Sequence, residues 1–463
     1  MFGYISTRGE APRLSFSETT LAGLAQDGGL YVPEACPQLP PSELSNMSHQ
    51  HYLEIAWRVI LPFVGEDIPS ADLMKMLKAA YKNFSHPDIA PLHRFDDNFY
   101  LLELFHGPTL AFKDVALQFL GQVFDYILAR KKQRVTIVGA TSGDTGSAAI
   151  EAFKGRSNAD VFILHPHNRV SEVQRRQMTT VIAPNVFNIA VEGSFDDCQD
   201  LVKAMFNDQK FRHEMHLSAI NSINWARILA QVVYYVYAAA RIGRPVTFCV
   251  PTGNFGNIYA GYMAQSMGAP VEKLIAATNR NDILHRFFES GEMRAALVAP
   301  SLSPSMDIQI SSNFERLLFD LYGRSGFMVK QTMKYFRDEG PFRLSPEIMA
   351  QVKKLFASGR QDDAETLETI KRIYQQKNYI LDPHTAVGVG VAEAYQKANP
   401  QSVIVSLATA HPAKFPQAVM KAIGITPELP PQMADLYERP EKYEVLPANL
   451  SQIQQFVRGR VHK

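Results

Sequence analysis

From Phe99 to Asn279 the chain alternates between short apolar runs and longer amphipathic segments, and few folds accept that rhythm. "NFYLLELF", "RVTIVGA", "ADVFILHP", "VFNIAVEG", "PVTFCVPTG" and "KLIAATN" have the length and the β-branched or aromatic content of strands. Between them, "SAAIEAFKG", "SEVQRRQMTTV", "FDDCQDLVKAMF" and "NIYAGYMAQSMG" read as helices, and another helix begins at Lys113. The longest, "WARILAQVVYYVYAAARIG", reads as a buried helix. Its most apolar part, Ile228 to Ala240, falls short of the ~18 residues a membrane span needs, and it contains Gln231. Such alternation predicts an α/β fold of mostly parallel sheets with helices on both faces. The rhythm returns late in the chain, with "DPHTAVGVGVAEAYQKA" as a helix, "SVIVSLATA" as a strand and "PAKFPQAVMKAIG" as a helix.

The flanks are different. Residues 1–88 are broken by Pro-rich loop such as "GGLYVPEACPQLPPSEL", with helical patterns over Leu53–Phe63 and Ala71–Phe84, and read as a separate, mainly helical N-terminal unit. Residues 291–375 hold helical pieces around a Ser-rich "PSLSPSMDIQISSNFE". The last segment, 426–463, reads as a tail.

Ligands of parallel sheets bind where a strand's carboxyl end leads into the next helix. Three such ends carry small polar turns: "GATSGDTG" at Gly139, "PTGNFGN" at Pro251 and "LATAHPAKF" at Leu407. Gly253, Asn254, Phe255, Gly256 and Asn257 suit a phosphate monoester. The two glycines let backbone amides close on an anion and tolerate positive φ. The loop lacks the Lys-Ser/Thr of a Walker A site, and a plain strand-to-helix turn is the competing reading. "GVGVAE" at Gly388 matches a dinucleotide fingerprint only weakly and lies in a helical stretch. Thr141, Ser142 and Thr145 of "TSGDTG" offer hydroxyls to a carboxylate or phosphate. Their alternative duty, shared with Asp144, is to cap the next helix. Thr409 either ends its strand or faces a ligand. His106, His384 and His411 flank turns and read first as hydrogen-bonded structural residues.

Lys113 stands in "HGPTLAFKD", where a helix start and a dry pocket both disfavour an ammonium ion. A neutral lysine amine, an amide nest and a second anion cradle in one α/β chain suggest pyridoxal 5'-phosphate, whose aldehyde condenses with a lysine. Little in the bulk properties points elsewhere. A formal net charge of +1 over 463 residues suggests neither nucleic acid nor membrane as partner. Cys36, Cys198 and Cys249 are too widely spaced for a metal site or a disulfide framework, which fits a reducing, cytoplasmic setting. The N-terminus, "MFGYISTRGEAPRLSF", has no apolar signal segment.

"HGPTLAFKD", "YISTRG", "LAGLAQDGGLYVP", "GATSGDTGSAA", "NSINWARI", "PTGNFGN", "DPHTAVG" and "LATAHPAKF" run in order over nearly the whole chain. Together they resemble the threonine synthase family in its long bacterial and fungal form, a fold-type II pyridoxal phosphate group related to the tryptophan synthase β subunit. The resemblance implies a catalytic region over 89–425 in two α/β subdomains, the smaller over roughly 125–215. It implies that Lys113 forms the Schiff base, that Gly253–Asn257 holds the cofactor phosphate and that Thr409 faces the pyridine nitrogen. Thr141, Ser142, Gly143, Asp144 and Thr145 would receive the substrate, and Asn221, Ser222 and Arg227 are candidates for its phosphate. Arg227 paired with a surface carboxylate is the competing reading. The implied reaction turns O-phospho-L-homoserine and water into L-threonine and phosphate, in a monomer or homodimer, without a metal. A dehydratase, or a phospho-lyase yielding 2-oxobutyrate, is the alternative.

Overall fold

In the computed structural model, which describes residues 2–462, the apolar runs pair in parallel because most are covered on both faces. Ala159–Pro166 is buried at all eight positions. It is central to a five-stranded, all-parallel sheet ordered Glu444–Pro447, Val186–Glu192, Ala159–Pro166, Val135–Ala140, Leu217–Ser218. A six-stranded sheet runs Phe356–Arg360, Val271–Thr278, Val246–Pro251, Ile404–Ala408, Phe99–Glu103, Leu92–Asp96. Its strands are parallel except Leu92–Asp96, which returns antiparallel along one edge.

Several of these strands were not expected from the pattern. Phe356–Arg360 lies inside the segment that reads as irregular, yet it pairs with Val271–Thr278 from Leu274↔Phe356 to Thr278↔Arg360. The segment that reads as a tail supplies Glu444–Pro447 to the smaller sheet. It also supplies the helix Leu450–Arg458, which packs Ile453 and Val457 against Val138 and Phe162.

The N-terminal unit has the expected helices, Tyr52–Val64 and Ser70–Tyr81, but no core of its own. Its apolar residues join one continuous core with the helices Lys113–Lys131 and Trp225–Ile242. Trp225 lies 5.9 Å from the Tyr4 ring and 6.0 Å from Phe63, tilted against both, and Tyr52 lies 5.3 Å from Tyr237. The Tyr81 hydroxyl donates to the Val115 carbonyl at 3.0 Å. The long helix is accordingly buried from Trp225 to Ala240. Among the described residues, no helix is long and apolar enough to cross a membrane.

This framework sets the site. Ala140, Pro251, Ala408 and Glu103 all end parallel strands, and each is followed by one of the motif turns. An isolated bridge, Ala111↔Ala410, and the bond from Phe112 N to Thr409 O at 2.8 Å draw the lysine turn against the "LATAHPAKF" turn.

Candidate active site

Lys113 is the first residue of its helix, and Phe112, at the cap position, makes no side-chain cap bond. The amine is buried. Its Nζ pairs with Asp144 Oδ2 at 3.1 Å, donates to Ser305 Oγ at 3.4 Å and lies 4.9 Å from the Phe112 ring centre. Burial pulls its pKa below the usual lysine value. Asp144 opposes that shift, and the positive charges of Lys414 and Arg227 reinforce it. Such an amine loses its proton more readily than a free lysine, and the neutral form is the nucleophile.

The turn Thr141–Gly146 has a different anatomy from simple capping. The helix begins at Asp144 with Gly143 at its cap, so neither Asp144 nor Thr145 caps it. The Thr141 hydroxyl accepts from the amides of Gly143 and Gly146, both at 2.9 Å, and so braces the turn itself. Gly143 is held at φ 141°, and a Cβ there would sit 2.6 Å from the Gln174 side chain, so only glycine fits. Ser142 is exposed and Thr145 half-buried, which leaves both hydroxyls open toward a ligand. Asp144 accepts from Lys113 and Ser305 on one oxygen, and from Gln174 and Lys414 on the other. Those cations hold its carboxyl well below the usual carboxylate range despite burial.

In the third turn, the residue at positive φ is Phe255, at 63°, and not a glycine. Its ring is fully buried 5.3 Å from Phe314 and 6.0 Å from Phe356, and this anchorage offsets the backbone strain, about 1–2 kcal/mol. Gly256 begins the helix Gly256–Ser266. A Cβ there would come within 3.1 Å of Asn313 Nδ2 and 3.3 Å of Ile228 Cδ1. The Asn254 carbonyl is pinned by both the amide and the side chain of Asn313, each at 3.0 Å. The Gly253 carbonyl accepts from Ser311 Oγ at 2.7 Å. Among the described residues no acceptor faces the amides of Gly253 to Asn257. Asn257 Oδ1 accepts from Tyr234 and Tyr235, at 2.5 and 2.9 Å, while its buried Nδ2 has no partner among the described residues. Carbonyls tied back and amides left over make a cradle for an anion.

Arg227 also carries free donors. It is buried, its Nε and Nη1 have no partner among the described residues, and burial pushes its pKa down to about 10. The competing expectation of a surface carboxylate partner does not hold. Asn221 and Ser222 are half-buried on the loop that leads into the same helix, where Asn221 Oδ1 accepts from Ile223 N at 3.3 Å. Thr409 is buried directly after its strand, with its amide donating to Thr385 Oγ1 at 3.2 Å.

The histidines are tied to neighbours. His106 meets Glu103 at 2.7 Å, and His411 accepts from the Ala413 amide, with burial pushing its pKa down to about 4. His384 sits between Asp382, at 2.9 Å, and the Ser305 amide, which donates to its Nε2 at 3.2 Å. Ser305, Asn313 and Lys414 are site residues that motif reading missed. Lys414 stood in view in "HPAKF". Ser305 and Asn313 lie in the segment that reads as irregular.

Known proteins align with this arrangement along its whole length. Three family models match: "Threonine synthase N terminus" over residues 3–81, "Pyridoxal-phosphate dependent enzyme" over 87–333 and "Threonine synthase, C-terminal" over 385–457. The threonine synthase of Pseudomonas aeruginosa is 54% identical over 98% of this chain and 97% of its own. That of Saccharomyces cerevisiae is 46% identical over 91% of this chain and 89% of its own. A pyridoxal-phosphate-bound threonine synthase structure from Brucella melitensis superposes with a TM-score of 0.98 at 51% identity, covering 100% of both chains. The Escherichia coli threonine synthase structure gives 0.81 at 31% identity, covering 99% of this chain and 100% of its own.

Proposed function

Because the chain belongs to the threonine synthase family of pyridoxal-phosphate-dependent lyases, we propose that its substrate is O-phospho-L-homoserine, converted with water to L-threonine and phosphate. The observation that carries this reading is the buried, unpartnered guanidinium of Arg227, whose charge acts on Lys113. A substrate whose own phosphate leaves requires an anion site apart from the one that holds the cofactor.

Bound pyridoxal phosphate supplies an aldehyde that takes up amines and a conjugated ring that stabilises carbanions. The amides of Gly253–Asn257 and the free Nδ2 of Asn257 would hold its phosphate, and Thr409 would face its ring nitrogen. Lys113 would hold the aldehyde until the substrate amine replaces it, then serve as the base that takes the proton from Cα. The downward shift of its pKa by burial suits both duties. Ser142, Thr145 and the amides of their turn would orient the α-carboxylate, with Thr141 and Gly143 shaping that turn. Asp144, itself an anion, serves the two lysines. Arg227, with Asn221 and Ser222, would bind the substrate phosphate through paired hydrogen bonds and stabilise it as it departs. In net terms a Cβ–H bond and the Cγ–O bond break, Cγ gains a proton, water adds its hydroxyl at Cβ, and water's remaining proton leaves with the phosphate.

Residues 1–88 would form the N-terminal unit, 89–425 the catalytic region with its smaller subdomain near 125–215, and 426–463 the closing segment. Every side chain assigned here comes from one chain, so the reading holds for a monomer or a homodimer. Three free cysteines accord with a cytoplasmic location. Incubation with O-phospho-L-homoserine tests the reading. Threonine and phosphate should appear in equal amounts, and 2-oxobutyrate in place of threonine would refute it.

A further inference from the structure

Two buried lysines share one carboxylate at this site. Lys113 pairs with Asp144 Oδ2 at 3.1 Å and Lys414 with Oδ1 at 3.2 Å. Their surroundings differ. Lys414 is completely buried, and its ammonium donates to Thr109 O at 2.6 Å and to Gln177 Oε1 at 2.7 Å besides the carboxylate. Three N–H donors meet three oxygens, which is the complement of an ammonium ion and leaves no lone pair in use. Lys113 has one carboxylate oxygen, a longer contact to the Ser305 hydroxyl and an aromatic face. Arg227 adds a third cation. Three cations surround the one carboxylate that both lysines share, and of the two amines Lys113 is the less well held.

We propose that Lys414 is a positioning residue for the reaction: a fixed ammonium that keeps Asp144 charged and in place and keeps Lys113 neutral and reactive. The inference rests on the assignment of Lys113 as the amine that takes up the cofactor. The charged groups acting on Lys113 from the elements packed around it are Asp144, Lys414 and Arg227, and His384 acts on Asp144. Lys414 also faces His411 and the buried Asp114, which accepts from the Thr109 amide and hydroxyl and whose pKa burial pushes up to about 6. Gln174 and Gln177, both on Glu172–Thr179, are neutral and hold Asp144 and Lys414. Asp144 attracts a proton to Lys113, and the two cations repel it. Once Lys113 is bound to the aldehyde, Lys414 still balances Asp144, so no unpaired anion remains beside the reacting carbons.

The test uses protein purified with its cofactor and then stripped of it. The rate at which added pyridoxal phosphate is captured as an imine is followed by absorbance across pH, beside the pH profile of kcat, because Lys113 is a free amine again once the substrate has replaced it. In Lys414→Met the acid-side midpoint of both profiles should move up by about 1 pH unit, because a neighbouring cation has gone. In Lys414→Arg the midpoint should stay, whatever the rate. In Asp144→Asn it should move down. A purely structural role would lower rates at every pH and leave the midpoints in place, and that result overturns the proposal. Should Lys414→Met lose its far-UV circular dichroism, Lys414→Gln is read in its place against the same criterion. Lys113→Ala is run alongside. If it still captures the cofactor as an imine, the assignment of Lys113 fails, and this inference with it. If it does not, unmoved midpoints count against Lys414 alone.

Discussion

Arg227 is a cation placed where apolar packing would otherwise be the rule. Its neighbours Trp225, Ala226, Ile228 and Leu229 are all fully buried, and its Nε and Nη1 have no partner among the described residues. A guanidinium left with unused donors inside a protein costs stability unless a ligand meets it. Arg227→Ala should therefore keep the bound cofactor and its absorbance, yet lose about 2–5 kcal/mol of transition-state stabilisation, read from kcat/KM. Arg227→Lys should recover part of that, having the charge without the fork. A wild-type kcat/KM in Arg227→Ala would place the substrate phosphate elsewhere. Most of the candidate site at this scale was legible as motif: Lys113, the 253–257 loop, Thr409 and the "TSGDTG" turn each lie in a contiguous run with a chemical signature. What the motifs could not show is convergence over distance. Ser305 reaches Lys113 from 192 residues away, and Lys414 meets Gln177 across 237. Nor does a motif distinguish the Thr141 hydroxyl as a brace from a ligand, since the same turn asks for both.

The turns at the strand ends act as units. In the 253–257 loop the anion cradle depends on carbonyls held back by a separate element, through Asn313 and Ser311. Gly256→Val should displace the loop, because its β-carbon already meets Asn313 Nδ2 and Ile228. Several amide–phosphate contacts, each worth about 1.5–3 kcal/mol, would be lost together. That variant should purify as largely colourless, cofactor-free protein, and full cofactor content would contradict the cradle. Asn313→Ala removes one of the two bonds to the Asn254 carbonyl. It should weaken cofactor binding by up to about 10-fold in a spectroscopic titration while leaving the far-UV circular dichroism unchanged. Elements with strong periodicity were readable in advance, including every inner strand of both sheets. The strands that escaped are edges. Leu92–Asp96 ("LHRFD") is half-polar, Phe356–Arg360 ("FASGR") carries a glycine, and Glu444–Pro447 is exposed or half-exposed throughout. An edge strand needs little apolar surface, so its sequence has little to display.

Across the whole molecule, the N-terminal unit is bound to the site rather than appended to it. Arg8 makes a two-pronged ion pair with Glu315, which also accepts from Thr7 at 2.6 Å. The adjoining Arg316, fully buried, donates to the Tyr31 carbonyl at 3.1 and 3.0 Å and to Ile223 at 2.5 Å, and it also binds Asn313. "YISTRG" and "GGLYVP" thus connect, through two consecutive residues, to the loop that precedes Arg227 and to the residue that pins Asn254. Deleting residues 1–88 would bare Trp225 and the face of the long helix. The remainder should then be insoluble or should lack near-ultraviolet circular dichroism, and a soluble, natively packed remainder would refute the shared core. Everything converges on one amine among the lysines of the chain, and the most direct measurement is to reduce the cofactor-loaded protein with borohydride and map the labelled peptide. The account predicts the phosphopyridoxyl group on Lys113 and nowhere else. Finding it on Lys414, or on any other lysine, would contradict the account.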